Sequence, residues 1–362
     1  MKVRSALAAV SASVALSAGS AIGAPVYEIT DLGRVDGFAI NDAGQATGAT
    51  FNPGPVGSQA FIYSSGALTI FGPPVSFGFA INNAGSVVGS VFSDPQRSFV
   101  YRDGFLVNFE AGLAVGINAS DQIVGRTSSR AFLYSNGVFT DLGSFGGPGS
   151  SGATAINDAG QVTGFADRRG GFQVPFLFSD GAMVDIFAGT RITYGNGLDV
   201  NANGQVVGTV DFKGRARLFT FADGVASVFD AVGAATGVND AGAFVGALDD
   251  GAFVSYGGGI ADLNQLLDPV SGAGWHLGAA RGINNNGQII GGGTFENDVR
   301  GFIATCVSGC GDPLTTRLNI VDVSAIPEPE TYALMLAGFG MLQLALRRNR
   351  STRSPAARHF IA

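Results

Sequence analysis

Along most of the chain, apolar positions come in short runs of three to five residues, each broken by Gly or by Asn/Asp. Runs this short, punctuated by turn residues, predict strands and tight turns rather than helices. Comparing the chain with itself shows that one nonapeptide recurs seven times: 40–48 (INDAGQATG), 81–89 (INNAGSVVG), 117–125 (INASDQIVG), 156–164 (INDAGQVTG), 200–208 (VNANGQVVG), 238–246 (VNDAGAFVG) and 283–291 (INNNGQIIG). Repetition at a spacing near 40 residues marks a repeat architecture in which each copy is one supersecondary unit.

Each copy is followed by a second signature: AFIYSSG from Ala60, SFVYRDG from Ser98, AFLYSNG from Ala131 and PFLFSDG from Pro175, with weaker versions from Leu218, Ala252 and Gly301. A third piece follows the early copies, as in Thr140-Asp141-Leu142-Gly143 and Met183-Val184-Asp185-Ile186. One unit therefore reads as four strands. Strand a ends at the Ile-Asn, and strand b is the Val-Val-Gly segment. Strand c is Ala-Phe-Leu-Tyr, and strand d is the Val-Asp-Leu piece. The Asp-Ala-Gly between a and b is a tight turn with Gly at positive φ, and the Asp-Gly or Asn-Gly between c and d is a second one. Strand c is apolar at consecutive positions, which predicts burial on both sheet faces.

Four antiparallel strands in about 40 residues match the blade of a β-propeller. The predicted fold is all-β: a seven-bladed β-propeller of four-stranded antiparallel blades over residues 24–311, with one C-terminal apolar helix outside the domain. The seventh unit lacks a clear strand d, whereas Tyr27–Gly33 (YEITDLG) reads like an orphan one. The expectation is that this N-terminal strand completes the last blade and closes the ring, removing exposed sheet edges. The combination of motifs over residues 27–303 resembles the HAF-type extracellular repeats, a family defined by its repeats rather than by an activity.

The two ends read as addresses. Lys2 and Arg4, an apolar run from Ala6 to Ala18 and small residues up to Ala24 form a secretory signal, with cleavage expected after Gly23. After a 312–326 linker, Pro327-Glu328-Pro329, an apolar stretch from Tyr332 to Leu346 and Arg347-Arg348 resemble a PEP-CTERM sorting signal over 327–350, followed by a basic tail, 351–362. The resemblance implies processing by signal peptidase and then by an exosortase in the inner membrane. It also implies delivery to the cell surface or extracellular matrix of a Gram-negative-type bacterium that makes exopolysaccharide. Fifteen apolar residues give roughly 23 Å of helix, short of a span of about 30 Å, so the anchoring is transient. The arginines after it stay cytoplasmic.

Composition narrows the functional classes. Glycine reaches 56 residues and charged residues only 14%. Without the two ends the middle carries 14 basic and 26 acidic residues. That balance argues against nucleic acid, whose binding rests on phosphate neutralisation. Cys306 and Cys310 form an expected disulfide outside the cell, with free thiols as the alternative. No catalytic or cofactor motif is present. His276 stands without a second histidine and reads as a loop or rim residue, and the Asp-Ala-Gly turns lack calcium-loop spacing, so neither metal nor cofactor is expected.

Nine of the basic residues fall between the expected strands b and c: Arg97, Arg126, Arg130, Arg168, Arg169, Lys213, Arg215, Arg217 and Arg300. Asp94, Asp167, Asp211, Asp249, Asp250, Glu296 and Asp298 share those segments. Such a mixed rim suits sugar hydroxyls, and arginines suit acidic sugars. It also fits charge collecting on the longest exposed loops. The expected function is a non-enzymatic surface or matrix protein binding exopolysaccharide or envelope components through the face formed by the b–c loops. The alternatives are a polysaccharide hydrolase or lyase, which needs two converging carboxylates, and a protein-binding scaffold.

Overall fold

The computed structural model describes residues 24–323 apart from 52–56, 93–95, 110–111, 250, 311–313 and 315. The secretory signal, the sorting signal with its expected apolar helix, the basic tail, and Asp94, Glu110 and Asp250 lie outside the described residues.

The described chain is almost entirely antiparallel sheet. Units one to four, over residues 35–70, 76–109, 113–143 and 146–185, are each a four-stranded sheet in the order a-b-c-d. Units five and six share one strand, Val225–Val238, whose first part pairs with strand c of unit five and whose second part pairs with strand b of unit six. The fourth strand of the last sheet is the N-terminal segment: Val26–Gly33 pairs antiparallel with Asp298–Ser308, aligning Ile29 with Ala304 and Asp31 with Phe302.

Turn chemistry follows the sequence. The a–b turns place Gly44, Gly85, Gly160, Gly204, Gly242 and Gly287 at φ between 73° and 81°. Asp121, which replaces that Gly in unit three, still adopts φ 57°. The c–d turns put two residues in succession at positive φ, as in Asp103-Gly104 and Asn136-Gly137, which is the type I′ geometry that matches strand twist.

The Gly that ends each nonapeptide has another cause. At Gly208 a Cβ would sit 2.2 Å from the Asn196 carbonyl oxygen and 2.8 Å from the Phe219 ring. The equivalents Gly48, Gly89, Gly125, Gly164, Gly246 and Gly291 meet the neighbouring strand-a carbonyl at 1.9–2.1 Å. Strand b can hydrogen-bond to strand a at its register shift only where no side chain intervenes. Gly208→Ala is therefore expected to cost about 2–3 kcal/mol by overpacking, read by calorimetry as a lowered Tm with an unchanged circular dichroism spectrum.

Among the described residues seven apolar clusters fill the spaces between consecutive units. Val88 of unit two packs with Ala114 and Phe132 of unit three. In the same way Ile290 and Ile303 of unit seven pack with Val35 and Phe61 of unit one. The strand-c phenylalanines Phe61, Phe99, Phe176, Phe219, Phe253 and Phe302 are fully buried and the residues before them are buried too. Strand c is thus covered on both faces at its centre. The arrangement is propeller-like.

The C-terminal stretch departs from the linker expected at 312–326. Leu314 is buried in the cluster between units six and seven. The Ile260 amide donates to the Thr316 carbonyl at 2.9 Å, and Val321 and Ile320 pair with Val228 and Phe229. The Arg191 amide then reaches the Val323 carbonyl at 3.0 Å. The outer strands of units five and six offer unpaired edges, and an extended apolar segment saturates them. Cys306 and Cys310 are disulfide-bonded, with Cα atoms 5.8 Å apart, just before this stretch. Among the described residues no helix is long and apolar enough to cross a membrane.

Candidate functional site

The seven nonapeptides meet at a common axis through their asparagines. Asn41 Nδ2 donates to the Asn82 carbonyl at 2.9 Å, Asn82 to Asn118 at 3.0 Å, and Asn118 to Asn157 at 3.1 Å. Asn157 donates to Asn201 at 2.8 Å, Asn201 to Asn239 at 2.8 Å, Asn239 to Asn284 at 3.2 Å, and Asn284 back to Asn41 at 2.8 Å. The Oδ1 atoms face the other way and accept from their own turns, as Asn201 does from the Asn203 and Gln205 amides, both at 3.0 Å. Each Asn is thus both a turn cap and a link to the next unit.

Outside this circuit is a polar cup of about 180 Å³, rimmed by Asp42, Asn83, Asp158, Asp240 and Asn285. These rim groups are engaged with one another: Asn285 Nδ2 donates to Asp42 at 3.2 Å and to Asp240 at 2.9 Å. On the inner side a girdle of Ile40, Ile81, Ile117 and Ile283 borders both the cup and a second cavity of about 290 Å³.

This second cavity, a well, takes one position from strand a of every unit, three residues before the Asn: Phe38, Phe79, Val115, Thr154, Leu198, Thr236 and Arg281. The next position is Ala or Gly in six units and Asp199 in unit five. The repeated backbone thus carries a chemically uneven lining. On one side Phe38, Phe77 and Phe79 lie with centroids 5.9–6.4 Å apart and planes within 21°. Phe92, 45% exposed, stands perpendicular to Phe77 at 5.3 Å. The Arg281 guanidinium lies 5.3 Å from the Phe38 centroid, a cation–π contact. It also pairs in a bidentate manner with Asp36 at 2.8 and 3.1 Å.

Across the well, Asp199 Oδ1 accepts from the Val200 amide at 2.9 Å and Oδ2 from the Val238 amide at 2.8 Å. Burial pushes the Asp199 carboxyl up to about 6, an effect only partly offset by those two donors. Burial also raises the Tyr27 and Tyr256 phenols, whose hydroxyls are hydrogen-bonded to each other.

The arginines singled out from sequence lie elsewhere. Arg97, Arg126, Arg168, Arg215, Arg217 and Arg300 are inside strands rather than in b–c loops, because strands b and c run further than their motifs. Three of them pair with strand-d aspartates of the same sheet: Arg168 with Asp185, Arg217 with Asp230 and Arg300 with Asp31. Arg168 also donates to the Ile192 carbonyl at 3.2 Å, so it holds the sheet and is not free for a ligand. Arg130 donates to Ser144 at 2.8 Å and Lys213 lies over Phe212. Arg97, Arg126, Arg169 and Arg215 are exposed, and none of the nine basic residues lines the cup or the well.

His276 sits exposed on strand a of unit seven rather than in a loop. No cluster of three metal-ligating side chains occurs among the described residues.

The well residues three and two positions before each Asn were missed because they precede the nonapeptide. Aligning the seven copies position by position exposes them, since Asp199 stands alone in a column of Ala and Gly.

No curated protein matches the chain. Solved structures with a similar fold include TolB from Acinetobacter baumannii, 10% identical with a TM-score of 0.44 over 72% of this chain and 63% of that one. Another is the β-propeller domain of the Trilobed protease from Pyrococcus furiosus, 11% identical with a TM-score of 0.48, covering 62% of this chain and 82% of that one. A third is a puromycin-hydrolyzing peptidase from Mycobacterium tuberculosis, 10% identical with a TM-score of 0.48, covering 82% and 55%. The chain spans less than two thirds of the length of TolB. Likeness of this degree bears on neither activity nor ligand. The family model of the PEP-CTERM protein-sorting motif matches residues 325–350, and that motif implies export, processing by an exosortase and an extracellular or cell-surface destination in bacteria.

Proposed function

We propose that the chain is a seven-bladed β-propeller, its ring closed by the N-terminal strand, that serves as a non-catalytic surface or matrix protein binding exopolysaccharide. The ring reading is supported by the asparagine circuit that returns to Asn41 and by the pairing of Val26–Gly33 with Asp298–Ser308. The binding reading rests on one observation: a repeated wall whose central well is lined unevenly by the aromatic rings of Phe38 and Phe79, the Arg281 guanidinium and the lone carboxyl of Asp199. Aromatic surface with a few convergent polar groups is what small polar ligands need.

A polysaccharide hydrolase is the second reading. Asp36 and Asp199 are the carboxylates near the well, but Asp36 is held by Arg281 and Asp199 by two backbone amides. That leaves no raised acid paired with a free base.

The test is co-sedimentation of the mature exported protein with exopolysaccharide purified from the producing bacterium, followed by sizing of the polymer. Saturable binding with unchanged polymer length is the expected result. Shortening of the polymer would establish the enzyme reading, and absence of binding would leave the protein-scaffold reading.

A further inference from the structure

We infer that the well binds the terminal pyranose of a polysaccharide chain and does not accept residues from the chain interior. The inference rests on the exopolysaccharide reading above and adds which part of the polymer is recognised. Strand a of every unit contributes to the wall, and the isoleucine girdle shared with the cup lies at the inner end, next to the asparagine circuit. An interior sugar carries a glycosidic bond on two sides and so needs two exits. A well walled on all sides has one, and about 290 Å³ is at the lower end of ligand cavities, suited to one or two sugar rings.

The lining suits a neutral pyranose. The ring C–H face packs on Phe38 and Phe79, where burying apolar area is favourable. Arg281, held in place by Asp36, lines the well and offers its remaining N–H donors to sugar hydroxyls. Each Asp199 oxygen accepts one backbone amide and retains a lone pair for a sugar hydroxyl. Arg281 is already neutralised by Asp36 and the opposite wall carries Asp199, so an acidic sugar gains little here.

The repeats supply substitutions the scaffold already tolerates. Asp199→Ala installs the residue present at Ala39, Ala80 and Ala155, and Phe79→Val installs that of Val115. Exopolysaccharide from the producing bacterium is cut by mild acid into long-chain and short-chain fractions and titrated at equal sugar mass onto the mature exported protein and both variants. Binding should follow the number of chain ends, so the short fraction saturates the protein at proportionally lower mass. Each variant should bind the short fraction at least tenfold more weakly while unfolding within a few degrees of the parent.

If both fractions bind equally by mass, or if both variants bind as the parent does, the well is not the subsite although the exopolysaccharide reading survives. If neither fraction binds the parent protein, both proposals fall. The comparison of fractions on the parent protein stands even if a variant fails to fold.

Discussion

Deleting residues 24–33 will abolish cooperative unfolding of the domain. This strand pairs along the outer edge of Asp298–Ser308 from Gly301 to Ser308. It places fully buried Tyr27 in the cluster between units six and seven and buried Leu32 in the cluster between units seven and one. The Asp268 amide donates to the Tyr27 carbonyl at 2.8 Å and the Ile29 amide to Ser271 Oγ at 3.1 Å. Arg300 would lose Asp31. Burial of each large apolar side chain is worth about 1.5–3 kcal/mol. Lost together with a complete ladder, these terms are comparable to the whole stability of a typical domain, about 5–15 kcal/mol. The freed edge is also a template for pairing between copies. Calorimetry and size-exclusion chromatography should show a broad, weak transition and soluble oligomers. A synthetic peptide of residues 24–34 should restore a cooperative transition when added in trans. A sharp transition near the parent temperature without the peptide would mean that the fold does not depend on this strand.

Asn201→Ala should cost about 3–5 kcal/mol. It removes donation to the Asn239 carbonyl at 2.8 Å and to Gln205 at 3.3 Å, together with acceptance from two turn amides. Asn201 and Asn239 are 3% and 6% exposed, so water cannot easily replace the lost partner. Each buried group left unpaired costs about 1–3 kcal/mol. Asn201→Asp separates the two roles of this side chain. An aspartate keeps the acceptor that caps the turn, so a turn role alone predicts little loss. As a link to the next unit it cannot donate while ionised, and its carboxylate would face the Asn239 carbonyl. The variant should therefore be destabilised at neutral pH and recover partly on acidification, when the protonated carboxyl can donate. Denaturant titrations at several pH values read this directly. A variant as stable as the parent at neutral pH would show that the asparagine acts only as a turn cap.

Much of the architecture was legible because it is written in local chemistry. Asp103-Gly104 and Asn136-Gly137 announce their turns, and the orphan YEITDLG announces a strand that needs a partner. The asparagines were legible only by half. Turn capping explained each Asn locally, so nothing called for the second bond, which reaches a partner 36 to 45 residues away in six cases and 243 residues away from Asn284. The charged residues misled for a related reason. Arg168 sits beside Gly170 and Gly171 and reads as loop, yet it lies in the ladder opposite Phe172 and is spent on Asp185. A residue pattern reports a strand's core, while packing decides how far the strand extends. The well was hidden most completely, because each of its residues is unremarkable within its own unit. Only the superposition of the units places Phe79, Asp199 and Arg281 around one axis.

The edge pairing of residues 316–323 has a mechanical consequence. Drag applied through the sorting motif at residues 325–350 enters the domain through this segment. The segment lies along the outer strands of units six and five and reaches Arg191 of the loop after unit four. Pull therefore arrives at units five and six, away from the seam between unit seven and the N-terminal strand. Forced unfolding is governed by the barrier along the pulling direction. The seam made by the N-terminal strand and unit seven is thus kept out of the line of tension.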